Sequence, residues 1–94
     1  MSIIQFSHAN GFPAKTYSVL FEQLKGYTIS VINILGENTN SNEINYHDLT
    51  DEILESASQF GESVIGIGHS LGGVLTLLAA AKKPEIFQYI ILLD

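Results

Sequence analysis

The sequence predicts an α/β fold: a mostly parallel open sheet with helices on both faces, about four strands and three helices. Two observations carry this reading. Apolar runs of four to seven residues alternate along the chain with longer helical patterns, the order that builds βαβ units with right-handed crossovers. Those runs are also nearly continuous rather than alternating, as expected of parallel strands covered on both faces.

The elements follow in order. Residues 3–6 read as the first strand. The first helix carries Tyr17, Leu20, Phe21 and Leu24 on one stripe, with Pro13 near its start and Lys25-Gly26 at its end. Residues 28–34 read as the second strand. Residues 36–45, rich in Asn, Ser, Thr and Glu, form the one long loop. The second helix starts near Asp48 as N-cap and aligns Leu49, Ile53, Ala57 and Phe60 before Gly61. Residues 64–67 are the third strand. The third helix, 71–83, is apolar on nearly every face and is expected to be buried. Lys82 and Lys83 sit at its negative end and Pro84 stops it. Residues 89–93 form the fourth strand. An apolar strand at the end of the sequence, with nothing after Asp94 to cover it, suggests the front part of a longer protein.

Composition narrows the function. The chain has 94 residues, enough for one domain at most, and 46% of them are hydrophobic. It has no cysteine, so no disulfide and no thiolate metal site, which suits a reducing, cytoplasmic compartment. No run is long enough to span a bilayer, and no signal-like core follows a basic start. The net charge of −6, with four lysines and no arginine, argues against a nucleic-acid partner.

Between the third strand and third helix stands Gly68-His69-Ser70-Leu71-Gly72-Gly73. Gly-x-Ser-x-Gly alone arises by chance in roughly 3% of chains this long. A strand before it and a helix after it make it a nucleophile elbow. The turn is so tight that its serine is strained, and a β-carbon two residues either side would collide. Gly68 and Gly72 remove those collisions. Ser70 Oγ is then raised above the sheet, and the Leu71 N–H, first in the new helix, faces a developing oxyanion. A nucleotide-binding turn would need Gly-x-Gly-x-x-Gly, but Leu71 holds the third-glycine position; no lysine follows for a P-loop.

A second motif, Ser7-His8-Ala9-Asn10-Gly11-Phe12-Pro13, follows the first strand. With these two motifs the chain resembles the α/β-hydrolase superfamily, which carries His-Gly-x-Pro after the corresponding strand and Gly-His-Ser-x-Gly-Gly at the elbow. It is similar to a bacterial subgroup with His-Ala-Asn-Gly-Phe-Pro, in which two residues separate His8 from Gly11. The resemblance implies a partial α/β-hydrolase fold: residues 1–94 would be the N-terminal part of one domain, without cap or C-terminal part. The sheet would run second, first, third, fourth strand. It also implies that the Phe12 and Leu71 amides form the oxyanion hole. Gly11 permits the unusual turn and Phe12-Pro13 fixes the amide before a helix.

The catalytic set is incomplete. This fold orders its triad Ser, Asp/Glu, His, yet His8, His47 and His69 all precede Ser70. His69 is expected to pack or hydrogen-bond, His8 to support the oxyanion loop, and His47 to lie on the surface. Asp94 is a minor candidate for the triad acid beside a plain loop-start role. Asp51, Glu52 and Glu55 read as a solvated helix face, with no histidine or cysteine at metal-ligand spacing. The expected function is therefore hydrolysis of an ester, thioester or amide of a small acyl substrate by Ser70, without cofactor. The 94 residues alone would be inactive for want of the triad histidine. A non-enzymatic small-molecule binder, or a cofactor-free haloperoxidase or lyase on the same fold, remains the alternative.

Overall fold

The computed structural model describes residues 2–9, 12, 14–32 and 46–93. The expectations for Gly11, Pro13, the 36–45 loop and Asp94 lie outside them. Four strands form one sheet: β1 (Ile3–Ser7), β2 (Thr28–Val31), β3 (Val64–His69) and β4 (Phe87–Leu93). Its order is β2-β1-β3-β4, and every pair is parallel. Three α-helices connect the strands: α1 (Ser18–Gln23), α2 (Tyr46–Ser58) and α3 (Leu71–Lys82).

The helices divide between the two faces. Ile4, Phe6 and Ile67 pack with Tyr17, Leu20, Phe21 and Leu24 around α1. On the other face Leu49, Ile53 and Leu54 of α2 meet Leu75 and Ala79 of α3. Odd and even positions of β1 thus serve different neighbours, as the two-residue period of a strand requires.

Glycine and a bulge seat β4. A Cβ at Gly66 would lie 2.9 Å from the Phe87 ring and from the Thr76 methyl. The bare strand therefore leaves room for Phe87 beneath α3. The register shifts by one residue at Val64/Ile65, pairing Phe87 with Val64 but Tyr89 with Ile65. Such an extra residue re-aims the side chains that follow. Tyr89 and Ile91 then register with Ile65 and Ile67, and Leu92 with Gly68.

Several boundaries and environments differ from the sequence reading. The first helical stretch opens as a 3₁₀ turn, Ala14–Tyr17, before α1. α2 begins at Tyr46, so Asp48 lies in its first turn rather than at its cap, where its carboxylate still suits the helix dipole. α3 is not buried all round: Gly72, Gly73, Leu75, Thr76 and Ala79 are buried, whereas Val74, Leu77 and Leu78 are exposed. β4 starts two residues earlier than expected and is largely exposed. The acidic face of α2 is not simply solvated either. Asp51 pairs with Lys82 of α3 at 2.7 Å, and Glu52 is half-buried.

Candidate active site

The site is built at the C-terminal ends of β1 and β3, the central strands of the sheet. Open parallel sheets place ligands at that edge. β3 ends at His69, α3 begins at Leu71, and Ser70 is the whole connection. Its backbone has φ 52° and ψ −114°, the one positive φ at a non-glycine among the described residues. A residue with a β-carbon is held there only when its surroundings over-determine it.

Those surroundings are visible. The Ser70 N–H donates to the Leu93 carbonyl at 3.0 Å, tying the turn to the end of β4. The Ser70 carbonyl accepts from Val74 N–H at 3.1 Å, the first bond of α3. The glycines let the chain fold over itself. A Cβ on Gly68 would lie 2.5 Å from the Gly72 carbonyl carbon and 2.6 Å from Gly73 Cα. A Cβ on Gly72 would lie 2.5 Å from the His8 carbonyl oxygen. A Cβ on Gly73 would lie 3.1 Å from the Gly68 carbonyl oxygen, a milder conflict. Gly72 is therefore the point where the turn touches the 7–8 backbone. Thr76 Oγ1 donates to the Gly72 carbonyl at 2.7 Å and steadies the first turn of α3.

Ser70 itself is exposed. It lines an apolar groove of about 640 Å³ with Leu71, Gly73, Val74, Leu77, Leu92 and Leu93. The N–H groups of the first helical turn have no intrahelical partner, so the start of α3 offers donors to an anion.

The loop after β1 lies beside this turn. Ala9 is its hub. The Ala9 carbonyl accepts from Phe12 N–H at 3.1 Å and from His8 Nδ1–H at 2.7 Å. The Phe12 amide is thus committed to a local turn, and serves an oxyanion only by sharing or releasing that bond. The Phe12 side chain is half exposed. The Ala9 N–H donates to the Tyr17 hydroxyl at 2.9 Å, and that hydroxyl lies 2.9 Å from His69 Nδ1. A tyrosine hydroxyl has one proton and two lone pairs, so it can accept from Ala9 and donate to His69 Nδ1 when the His69 proton sits on Nε2.

The structure therefore brings together His8, Phe12, Gly68, His69, Ser70, Leu71, Gly72 and Gly73. Tyr17 and the Ala9 carbonyl join them without having been marked in the sequence. Tyr17 is 52 positions from His69 and carries only the signature of a core aromatic. His47 lies in the first turn of α2, on a different element from Ser70. No group of three His, Asp or Glu side chains gathers to hold a metal among the described residues. No described helix is long and apolar enough to cross a membrane.

The fold recurs in solved structures. The deformylase for N-formylmaleamic acid from Pseudomonas putida S16 superposes with a TM-score of 0.80 at 25% identity. The match covers 97% of this chain and 37% of that one. An extracellular alpha/beta-hydrolase from a Paenibacillus species matches over 98% of this chain and 40% of its own, with a TM-score of 0.73 and 20% identity. The chain has the fold of the α/β-hydrolases over nearly its whole length. An esterase from a marine microorganism gives a TM-score of 0.84 at 20% identity, over 97% of this chain and 36% of its own. The chain thus spans well under half the length of these hydrolases. No family model and no curated protein sequence matches it.

Proposed function

We propose that this chain supplies the nucleophile and oxyanion turn of a serine hydrolase acting on a small acyl substrate. The carrying observation is Ser70 itself: exposed, at φ 52°, alone between a central strand and an apolar helix. A hydroxyl held at such strain, beside the open N–H groups of a helix start, suits attack on a carbonyl. Hydrolases among the structural neighbours, an esterase and a deformylase, support the class.

In this reading Ser70 Oγ bonds to the acyl carbonyl carbon, and the carbonyl π electrons move onto oxygen. The Leu71 N–H donates to that oxyanion. Phe12 N–H joins it by turning from the Ala9 carbonyl. Gly68, Gly72 and Gly73 allow the close backbone, and His8 and His69 support the two loops. His8 Nδ1 serves the Ala9 carbonyl and His69 Nδ1 pairs with the Tyr17 hydroxyl, and in this fold the triad histidine follows the serine along the chain. The base, and the acid that orients it, would come from sequence beyond Asp94, with residues 1–94 as the N-terminal part of one hydrolase domain. No cofactor, metal or nucleic acid enters this chemistry, and the cysteine-free chain suits the cytoplasm.

The test is covalent labelling of the intact protein with a fluorophosphonate. Ser70→Ala is expected to abolish labelling while leaving the circular dichroism spectrum unchanged. Labelling that survives Ser70→Ala would assign the nucleophile elsewhere.

A further inference from the structure

We infer that Tyr17 is a positioning residue: through His69, its hydroxyl latches the 8–12 loop to the turn that carries Ser70. The inference rests on the reading of Ser70 as nucleophile and adds a residue that no motif contains. The two loops come from different strands, and an oxyanion site made of one amide from each needs their separation fixed. The bonds inside the 8–12 loop fix its shape only, because Phe12 N–H and His8 Nδ1–H both end on Ala9 of the same loop. Placement needs a bond that leaves the loop. Ala9 N–H to Tyr17 Oη, and Tyr17 O–H to His69 Nδ1, make that link at 2.9 Å each. His69 is the last residue of β3, adjoining Ser70.

The hydroxyl is held in place by packing. The Tyr17 ring lies 4.6 Å from Phe6 and 6.3 Å from Phe21, centroid to centroid. His69 meets it edge-on at 5.6 Å and 84°. A phenylalanine would fill the same space and keep the same ring contacts. What the tyrosine adds is one acceptor for Ala9 and one donor for His69. Held in a half-buried site, these two bonds convert a loop position into a distance from Ser70.

The experiment uses Tyr17→Phe, His69→Leu and His69→Asn. Asparagine keeps a side-chain acceptor near the Nδ1 position, and leucine removes it. Amide hydrogen exchange and the imidazole ¹⁵N shifts of His69 report on the latch. In Tyr17→Phe the Ala9 amide should exchange roughly five- to tenfold faster, the factor expected for one lost hydrogen bond. The Phe6 and Ile67 amides of the sheet should keep wild-type protection. The wild-type His69 shifts should show a bare, hydrogen-bonded Nδ1 and a proton on Nε2, and Nδ1 should lose its bonded shift in Tyr17→Phe. The rate of fluorophosphonate labelling at Ser70 should fall by a similar factor in Tyr17→Phe. His69→Leu leaves the Ala9–Tyr17 bond in place, so it should expose Ala9 less than Tyr17→Phe does while slowing labelling as much, and His69→Asn should return the labelling rate most of the way. Unchanged Ala9 exchange and His69 shifts in Tyr17→Phe would overturn the latch. Changed exchange with unchanged labelling would overturn its positioning role. A wild-type Ser70 that does not label fails the hydrolase reading instead, which the Ser70→Ala comparison reads separately.

Discussion

Gly72 is where one added carbon should matter most. Its hydrogen faces the backbone of residues 7 and 8, and a methyl there would overlap both the Ser7 and the His8 carbonyl oxygens. Backbone cannot rotate away as a side chain can. Gly72→Ala is therefore expected to cost roughly 3 kcal/mol or more of stability, the upper range for overpacking. Gly26 is the control: nothing lies within 4 Å of its Cβ position. Gly26→Ala should lose nothing and could gain a little from a stiffer unfolded chain. Urea unfolding midpoints of both variants decide this, and equal stabilities would refute the steric account. Gly68 and Gly72 were both legible from the Gly-x-Ser-x-Gly spacing, but only the crowding at Gly68 lies within the turn, against Gly72 and Gly73; that at Gly72 is against residues 7 and 8. The Tyr17–His69 bond was not legible. It joins residues 52 positions apart, and no local pattern separates a tyrosine that packs from one that packs and hydrogen-bonds. The commitment of Phe12 N–H to the Ala9 carbonyl was equally hidden, since it depends on how the loop folds back.

At the scale of elements, periodicity located every strand and α-helix of the described residues but misjudged the surroundings of α3. α3 carries apolar residues on nearly all sides, which reads as a helix buried all round. In the structure one face packs on α2 and the sheet, while Val74, Leu77 and Leu78 remain exposed. Periodicity reports what a helix could bury; the partners present decide what it does bury. Two leucines two positions apart separate these cases. Leu75 is fully buried against α2, so Leu75→Ala should cost about 2–5 kcal/mol. Leu77 is half exposed, so Leu77→Ala should change stability by less than about 1 kcal/mol. Equal losses in thermal unfolding would mean that Leu77 is covered in solution. The boundary differences have simpler causes. Asp48 was read as a cap because it precedes the apolar stripe, yet the backbone begins to coil at Tyr46. The aromatic stripe of the first helix is real, but Tyr17 belongs to a 3₁₀ turn and Leu24 follows the last helical residue.

At the scale of the whole molecule, the order β2-β1-β3-β4 is the one the resemblance implied, with the two motif-bearing strands at the centre. It leaves β4 as an edge. Phe-Gln-Tyr-Ile-Ile-Leu-Leu carries no charge, proline or other device that discourages pairing with another chain. Tyr89, Ile91, Leu92 and Leu93 are exposed along it, and Val74, Leu77 and Leu78 of α3 are exposed as well. An apolar edge with unpaired backbone groups is a template for another copy of the same strand. Residues 1–94 by themselves are therefore expected to self-associate through β4, with a weight-average mass that rises with concentration in sedimentation equilibrium. Tyr89→Lys, at the most exposed of the large apolar β4 positions (65%), should shift the distribution toward monomer without unfolding the sheet. Val19→Lys, on α1 and 72% exposed, introduces the same charge elsewhere and should leave association as it is. Monomer at all concentrations in the wild type would remove β4 as the contact. Equal effects of the two lysines would mean that net charge, rather than the strand edge, controls the assembly.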